Sequence, residues 1–506
     1  YGDHRDLHYP LRRQRQMCIR DRYIYAWMTN HETYLGQKGY SIYKKTLSVK
    51  EQIYIREQLM VKPYVPSSPI QGEAYPIYRE SNNKFYMPRF FGLKEFGIPN
   101  TNKVNNGIPI SLNFNGQLRP NQLKIAQKYI DYILDDNPEH CGGLLDIQCG
   151  GGKTVLSLYI ISKLKLKTLI IVHKGFLVDQ WIERIQQFLP DAKIGRIQGQ
   201  IIDIEGKDIV IGMLQSLSMK EYPEDLFQEF GLTVVDEAHH LSAEIFVRAL
   251  QKIVTTYTLG LSATMNRKDG LTKVFKMFLG DIIHKEKRVC EMPVIVKAIE
   301  FKTSDEEFNT IEYDFRGNAK YSTMLKKLCE FNIRSEFIIQ ILMRELERDG
   351  EQQVMILAHN KSLLSYLYKA IEYRKIGTVG YYIGGMKQKD LKISETKQII
   401  IATYSMASEA LDIKTLTTVL FATPKTDIEQ AVGRIMRENH NKALVIDIVD
   451  NHSIFKNQWE KRRKFYFTKG YEVRFSKNNN LDTWELLKPP TDKKTKEDRR
   501  CVVNIG

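Results

Sequence analysis

Beyond Leu118 the chain alternates between short runs that are apolar at nearly every position and longer stretches whose apolar residues recur at helical spacing. GGLLDI (142–147), TLIIV (168–172), DIVIGM (208–213), LTVVDEA (232–238) and YTLGLSA (257–263) form a first series of runs. QVMILAH (353–359), TVGYYIG (378–384), QIIIATY (398–404), TVLFAT (418–423) and ALVIDIV (443–449) form a second. A strand covered on one face alternates apolar with polar residues, whereas a strand covered on both reads as a continuous apolar run. Such runs separated by helices predict parallel sheets with helices on both faces, in two tandem α/β units. TVLSLYIISKL shows the helical pattern, with Val155, Leu158, Ile161 and Leu164 along one stripe.

Between the two series, the charged stretch from Phe301 to Asp349 is mostly helical in pattern. Upstream, from about Tyr34 to Gly116, the chain is rich in Tyr, Phe and Pro. There AYPIYRESNNKFYMPRF reads as two short strands that turn at Ser81–Lys84, with prolines keeping them at a sheet edge. This predicts a small α+β accessory domain whose aromatics serve as core, ahead of the alternative that they form a base-stacking platform. The expected boundaries are 23–116 for the accessory domain, 117–295 and 296–475 for the two α/β units, and 476–506 for a basic tail. Residues 1–22 carry RRQRQMCIRDR (12–22), which resembles a translated sequencing-adaptor read-through, and they are set aside from the fold.

Composition narrows the partners. At 506 residues the chain can build two or three cores, and its 42% hydrophobic and 27% charged content is that of an ordinary soluble protein. A formal charge of +15 favours a polyanion, either nucleic acid or an anionic surface. After Asp450 there are 14 Lys and Arg against 7 Asp and Glu, which fits a solvated basic tail or a nucleic-acid contact. No apolar run approaches bilayer length, so a membrane partner is disfavoured. Six scattered cysteines without a C-x-x-C pair argue against zinc ribbons, iron–sulfur clusters and a disulfide framework, and for a reducing, intracellular setting.

The chemistry starts at DIQCGGGKT (146–154). Gly150, Gly151 and Gly152 let backbone N–H groups approach a ligand; Lys153 can reach the outer phosphates of a nucleotide, and the Thr154 hydroxyl can ligate Mg2+. Ile147 stands where the strict phosphate-loop pattern has a further glycine, and a plain Gly-rich turn is the alternative. VVDEAHH ends a strand run with Asp236 and Glu237, which suits Mg2+ ligation by the first and orientation and deprotonation of water by the second. LSAT adds the Ser262 and Thr264 hydroxyls at the end of the next run, where they suit coupling or simple capping. In QAVGRIMRE, Arg434 and Arg437 are three apart and share a helix face, from which both can address a γ-phosphate across a domain cleft.

With these strings in this order, the chain from about Leu118 to Phe475 resembles the superfamily-two helicases, which implies two RecA-like domains. LRPNQ resembles the adenine-recognising element through Gln122, CGGGKT motif I, DEAH (236–239) motif II, SAT motif III, and QAVGRIMR, including Gln430, motif VI. Within the superfamily, LSATMNRKDG resembles the branch of the xeroderma-pigmentosum group B helicase and the poxvirus transcript-release helicase, as in large DNA viruses. That branch extends motif III by Arg267 and Asp269, with Lys268 here where cellular members tend to have Glu. ATYSMASEALDI is similar to motif V, with Ala410 in place of the usual Gly.

The resemblance further implies nucleic-acid contacts from Lys174, Gln215, Ser216, His359, Asn360 and Thr403, of a kind that grips phosphate and sugar without reading bases. The expected function is an ATP- and Mg2+-dependent helicase or translocase, with DNA favoured over RNA. Transcription or repair machinery is the expected partner, in the cytoplasm, nucleus or virion of an infected cell. A double-stranded-DNA translocase that does not unwind, a non-catalytic nucleic-acid-binding scaffold and, more distantly, a small-molecule kinase are the rivals.

Overall fold

The computed structural model describes residues 31–63, 72–148, 151–223, 225–237, 243–262, 271–286, 293–409, 413, 415–436 and 443–489. The chain divides into two compact units, Tyr1–Lys287 and Arg288–Gly506.

The first unit is built on an eight-stranded sheet in the order Ile201–Asp203, Ile194–Gln198, Ile209–Met213, Thr168–Val172, Leu232–Val235, Tyr257–Ser262, Gly142–Asp146, Ile282–Lys285. Every pairing is parallel except that between the first two strands. Side-chain alternation splits each apolar run between two layers. Ile170 and Val172 join the core beneath the helices Pro120–Ile133, Lys153–Leu164 and Gly175–Phe188. Leu169 and Ile171 join the opposite core, with Leu214–Met219, Ala243–Leu250 and Thr272–Leu279.

The helix Lys153–Leu164 departs from its expected stripe. It buries Leu156, Ser157, Leu158, Ile160, Ile161 and Ser162, while Val155 and Leu164 are half-buried. Flanking helices on both sides enclose it, so its contacts extend beyond a single face.

The N-terminal sheet has the order Arg79–Glu80, Lys84–Met87, Gly39–Tyr43, Thr33–Gly36, Thr101–Asn102. Its inward residues Leu35, Tyr40, Ile42, Phe85 and Met87 form one continuous core with Phe246, Phe275 and Phe278 of the first unit. Arg89 donates to the Thr256 carbonyl at 2.8 Å and Arg79 to Gln251 Oε1 at 3.1 Å. The N-terminal sheet is therefore welded to the larger one, because its apolar face is covered by helices of that unit.

The second unit carries a sheet in the order Val379–Tyr382, Ile399–Thr403, Gln353–Ala358, Leu416–Phe421, Ala443–Asp450, Val294–Phe301, Glu472–Ser476, Glu485–Leu486, parallel except at the last pair. The charged 301–349 stretch supplies the helices Glu306–Asn309, Tyr321–Glu330 and Asn332–Arg348. What reads in sequence as the start of a basic tail is structural: Ser453–Thr468 is a helix packed on the sheet, and Glu472–Ser476 pairs with Val294–Phe301. One of the cations counted after Asp450, Arg462, is a core group, and Arg334 of the charged stretch is another. Arg462 forks onto Asp447 (2.7 and 2.9 Å), which also accepts from the Tyr466 hydroxyl at 2.8 Å. From the opposite side, Arg334 forks onto Asp450 (2.6 and 2.8 Å) and donates to the Ala422 carbonyl at 2.9 Å.

Candidate nucleotide site

The strands Leu232–Val235, Tyr257–Ser262 and Gly142–Asp146 are neighbours, so whatever follows them shares one edge of the sheet. In open parallel sheets that carboxyl edge is where ligands bind. Ser262 pairs with Asp146, and the Ile147 amide donates to the Ser262 carbonyl at 2.9 Å, which lays motif III against the glycine loop. Gly152 caps the helix Lys153–Leu164 with φ 80°, a backbone conformation that favours glycine, and a Cβ there would displace the Gln122 side-chain amide. Gln122 itself is buried; its Nε2 donates to the Gly151 carbonyl at 2.8 Å and its Oε1 accepts from the Arg119 amide at 3.0 Å. The LRPNQ element thus braces the phosphate-loop backbone in this conformation.

Across from the loop, Lys153 Nζ forms an ion pair with Glu237 Oε1. Glu237 holds φ 49°, a left-handed conformation that costs a non-glycine residue on the order of 1–3 kcal/mol. Next to it, Asp236 is 7% exposed. Burial pushes its carboxyl upward, the Glu237 charge adds to this, and Lys153, the Trp181 hydrogen bond and His173 oppose it. Trp181 Nε1 donates to Asp236 Oδ2 at 3.0 Å from the helix Gly175–Phe188. Two adjacent acids, one of them buried, beside a single lysine form a donor set that suits a divalent cation, and the glycine loop with Lys153 suits its polyphosphate.

Trp181 has no role among the sequence-based expectations, which single out only Lys174 in this stretch of the chain. The available signal was a tryptophan on the apolar stripe of an amphipathic helix, since a buried indole N–H needs an acceptor. Gly150, Thr264, Arg267, Asp269 and Arg437 lie outside the described residues, as does Ala410.

The expected nucleic-acid residues form two groups, one in each unit. In the first unit Lys174 precedes the helix Gly175–Phe188, Gln215 Nε2 donates to the adjoining His173 carbonyl at 3.0 Å, and Ser216 Oγ accepts from the Gly199 amide at 2.9 Å. In the second unit Ala358 pairs with Thr403, placing His359, Asn360 and Thr403 at one sheet edge. Asn360 caps its helix by accepting from the Ser362 amide at 2.8 Å, and His359 Nδ1 bonds Thr423 Oγ1 at 2.9 Å. Gln430 lies in the short helix Glu429–Val432, and Arg434 in the 3-10 turn Gly433–Met436. Arg434 is buried and its Nε donates to the Ala407 carbonyl at 2.9 Å, whereas the sequence pattern placed it on an open helix face.

Residues 115–267 match the family described as "Type III restriction enzyme, res subunit". Over 459 residues the chain is 36% identical to L396 of Acanthamoeba polyphaga mimivirus, a candidate ATP-dependent RNA helicase, covering 88% of this chain and 87% of that one. It is 28% identical over 357 residues to the candidate ATP-dependent RNA helicase QP509L of African swine fever virus, covering 65% and 69%. A cellular relative, the DNA 3'-5' translocase XPB2 of Sulfurisphaera tokodaii, is 26% identical over 356 residues, covering 61% and 77%. The ordered motifs, the two parallel sheets that carry them and a relative matched along most of both chains agree: the chain belongs to the superfamily-two helicases, in the branch shared by these viral proteins and the XPB-type translocases, with two RecA-like domains.

Proposed function

We propose that this chain is a nucleic-acid-stimulated ATPase that uses each hydrolysis cycle to translocate on and separate or remodel strands, with DNA as the favoured track. The observation that carries the reading is the gathering of Gly151, Gly152, Lys153, Asp236 and Glu237 at the carboxyl ends of the two parallel strands that flank Tyr257–Ser262 in the first unit. In this reading Lys153 neutralises phosphate charge, Thr154 and Asp236 hold Mg2+, and Glu237 orients and deprotonates the attacking water. Bound Mg2+ supplies positive charge to the phosphoryl oxygens. A polyphosphate that competes for the Lys153 ammonium frees the Glu237 carboxylate for water, so nucleotide binding and exposure of the base become one event. Ser262, Thr264, Arg267 and Asp269 are assigned to coupling, and Gln430, Arg434 and Arg437 to completing hydrolysis. Lys174, Gln215, Ser216, His359, Asn360 and Thr403 are assigned to the nucleic-acid backbone. The viral relatives support an infected-cell setting; transcription or repair is the process this reading assigns there.

The names of the relatives point to different tracks, RNA helicase for the viral pair and DNA translocase for the archaeal protein. Steady-state ATPase without polymer, and with single-stranded DNA, duplex DNA or single-stranded RNA, each at low and high salt, tests both motor and track. Stimulation that falls with salt is expected, strongest with DNA, since phosphate contacts release counterions. No stimulation by any polymer would refute the motor. The translocase reading, supported by the XPB2 name, instead requires duplex stimulation with no unwinding of a forked substrate.

Trp181→Phe keeps the ring and removes the N–H bonded to Asp236. Half-saturating Mg2+ is expected to rise about 10-fold, as for loss of other partners that orient a metal ligand. The shift should be larger at pH 6 than at pH 8. Asp236 already titrates above the ordinary aspartate range and the lost bond favoured its charged form, so its protonation extends further upward and competes with metal as pH falls. A purely structural tryptophan would lower the melting temperature and leave the Mg2+ dependence equal at both pH values.

A further inference from the structure

The N-terminal sheet presents a second face, opposite its core. Cross-strand pairing puts Tyr34 opposite Ser41, Ser41 opposite Tyr86 and Tyr86 opposite Arg79, one row across four strands, with Tyr43 and Lys84 paired beside it. Residues directly opposite one another share a face. Tyr34, Tyr43 and Tyr86 are half-buried there, in contrast to the enclosed Tyr40 and Phe85 on the other side. Lysines interleave them. Lys84 Nζ lies 4.9 Å from the Tyr34 ring centre and 4.3 Å from that of Tyr43, Lys103 4.6 Å from Tyr34, Lys45 5.2 Å from Tyr43, and Lys38 5.9 Å from Tyr86.

At the Tyr86 end the row opens into a cavity whose lining includes Lys38, Arg79, Tyr86, Arg89 and Gln251. Arg89 is 6% exposed, and its Nε is buried with no hydrogen-bond partner. Among the described residues both guanidiniums bond only neutral oxygens, Gln251 Oε1 for Arg79 and the Thr256 carbonyl for Arg89. The Glu221 charge acts on the half-buried Arg79, whereas Arg89 is a buried cation with no carboxylate bonded to it among the described residues; such burial is costly, and an anion in the cavity removes the cost.

We propose that this face binds a single nucleic-acid strand, with a phosphate in the Arg79–Arg89 cavity and bases stacked on Tyr86, Tyr34 and Tyr43. Only a single strand offers both phosphates and open base faces; a duplex hides its bases, and a simple polyanion has none. The proposal rests on the motor reading for its biological use, but its binding test does not.

The test uses the full chain, fluorescently labelled dT20 and anisotropy across a salt series. Tyr34→Ala and Tyr86→Ala are each expected to weaken dT20 binding roughly 5- to 100-fold, the range for loss of one stacking partner. Tyr34→Phe and Tyr86→Phe, which keep the aromatic face, should bind as the parent does. Arg79→Gln should flatten the salt slope by about one phosphate contact. The concentration of dT20 for half-maximal ATPase should rise in step in the alanine variants, with unstimulated turnover unchanged. Parent-like dT20 binding by the alanine variants overturns the proposal, as does equal loss in the Phe variants or competition by inorganic polyphosphate as effective as unlabelled dT20. An ATPase that no polymer stimulates, with dT20 binding still sensitive to the alanine substitutions, would sink the motor reading and leave this surface standing.

Discussion

Glu237→Gln is expected to lower kcat for ATP hydrolysis about 10²–10⁴-fold, the usual worth of a positioned general base, while ATP still binds. Its amide keeps the shape of the carboxylate and loses the negative charge that Lys153 now holds. Lys153→Ala should abolish turnover as well, with a different signature: nucleotide affinity falls, because the ammonium contacts the phosphates in ground and transition states alike. As the two side chains are direct partners, the double variant should lose much less than the product of the single losses. Measuring kcat and nucleotide affinity for the three proteins separates these roles. Turnover within a few-fold of the parent in either single variant would remove the site assignment.

The second large effect is on stability. Asp447→Ala is expected to destabilise the second unit by about 3–5 kcal/mol, because it leaves the buried Arg462 guanidinium and the Tyr466 hydroxyl without their acceptor. Arg334→Ala, which strands Asp450, should cost a similar amount. The double replacement Arg462→Met with Asp447→Leu removes both charges and restores most of the loss, since a buried ion pair gains little over apolar groups of similar volume. Chemical denaturation reads the difference, and ATP binding at the first unit serves as the control that should not move. An Asp447→Ala protein as stable as the parent would mean that water or another cation partner reaches the pocket.

Much of this protein is written locally. The run TLIIV became the strand Thr168–Val172 and QVMILAH the strand Gln353–Ala358, since continuous apolar stretches between helical ones have few other ways to hide from water. DIQCGGGKT and VVDEAHH were legible because each carries its chemistry within a few residues, and the parallel order then sets their strands at one edge. Strands interrupted by polar residues were missed: Ile194–Gln198, Ile282–Lys285 at a sheet edge and Val294–Phe301 inside the second sheet carry charged or polar residues such as Arg196, His284 and Lys297, which blur the pattern. Lys297 is nonetheless buried, its ammonium held by Glu345 at 2.5 and 2.7 Å.

The sequence by itself determined the class of the fold, the position of the glycine loop and the paired acids along the chain, and the excess of positive charge, because these depend on short-range pattern and summed charge. Tertiary structure alone decided that Lys153 meets Glu237, 84 residues away, and that Trp181 meets Asp236, 55 residues away. It also buried Arg334, Arg462 and Arg434, and divided the N-terminal aromatics between a core and an outward lysine-flanked face. Burial is a property of what packs against a side chain, and for these residues the covering groups come from distant parts of the chain.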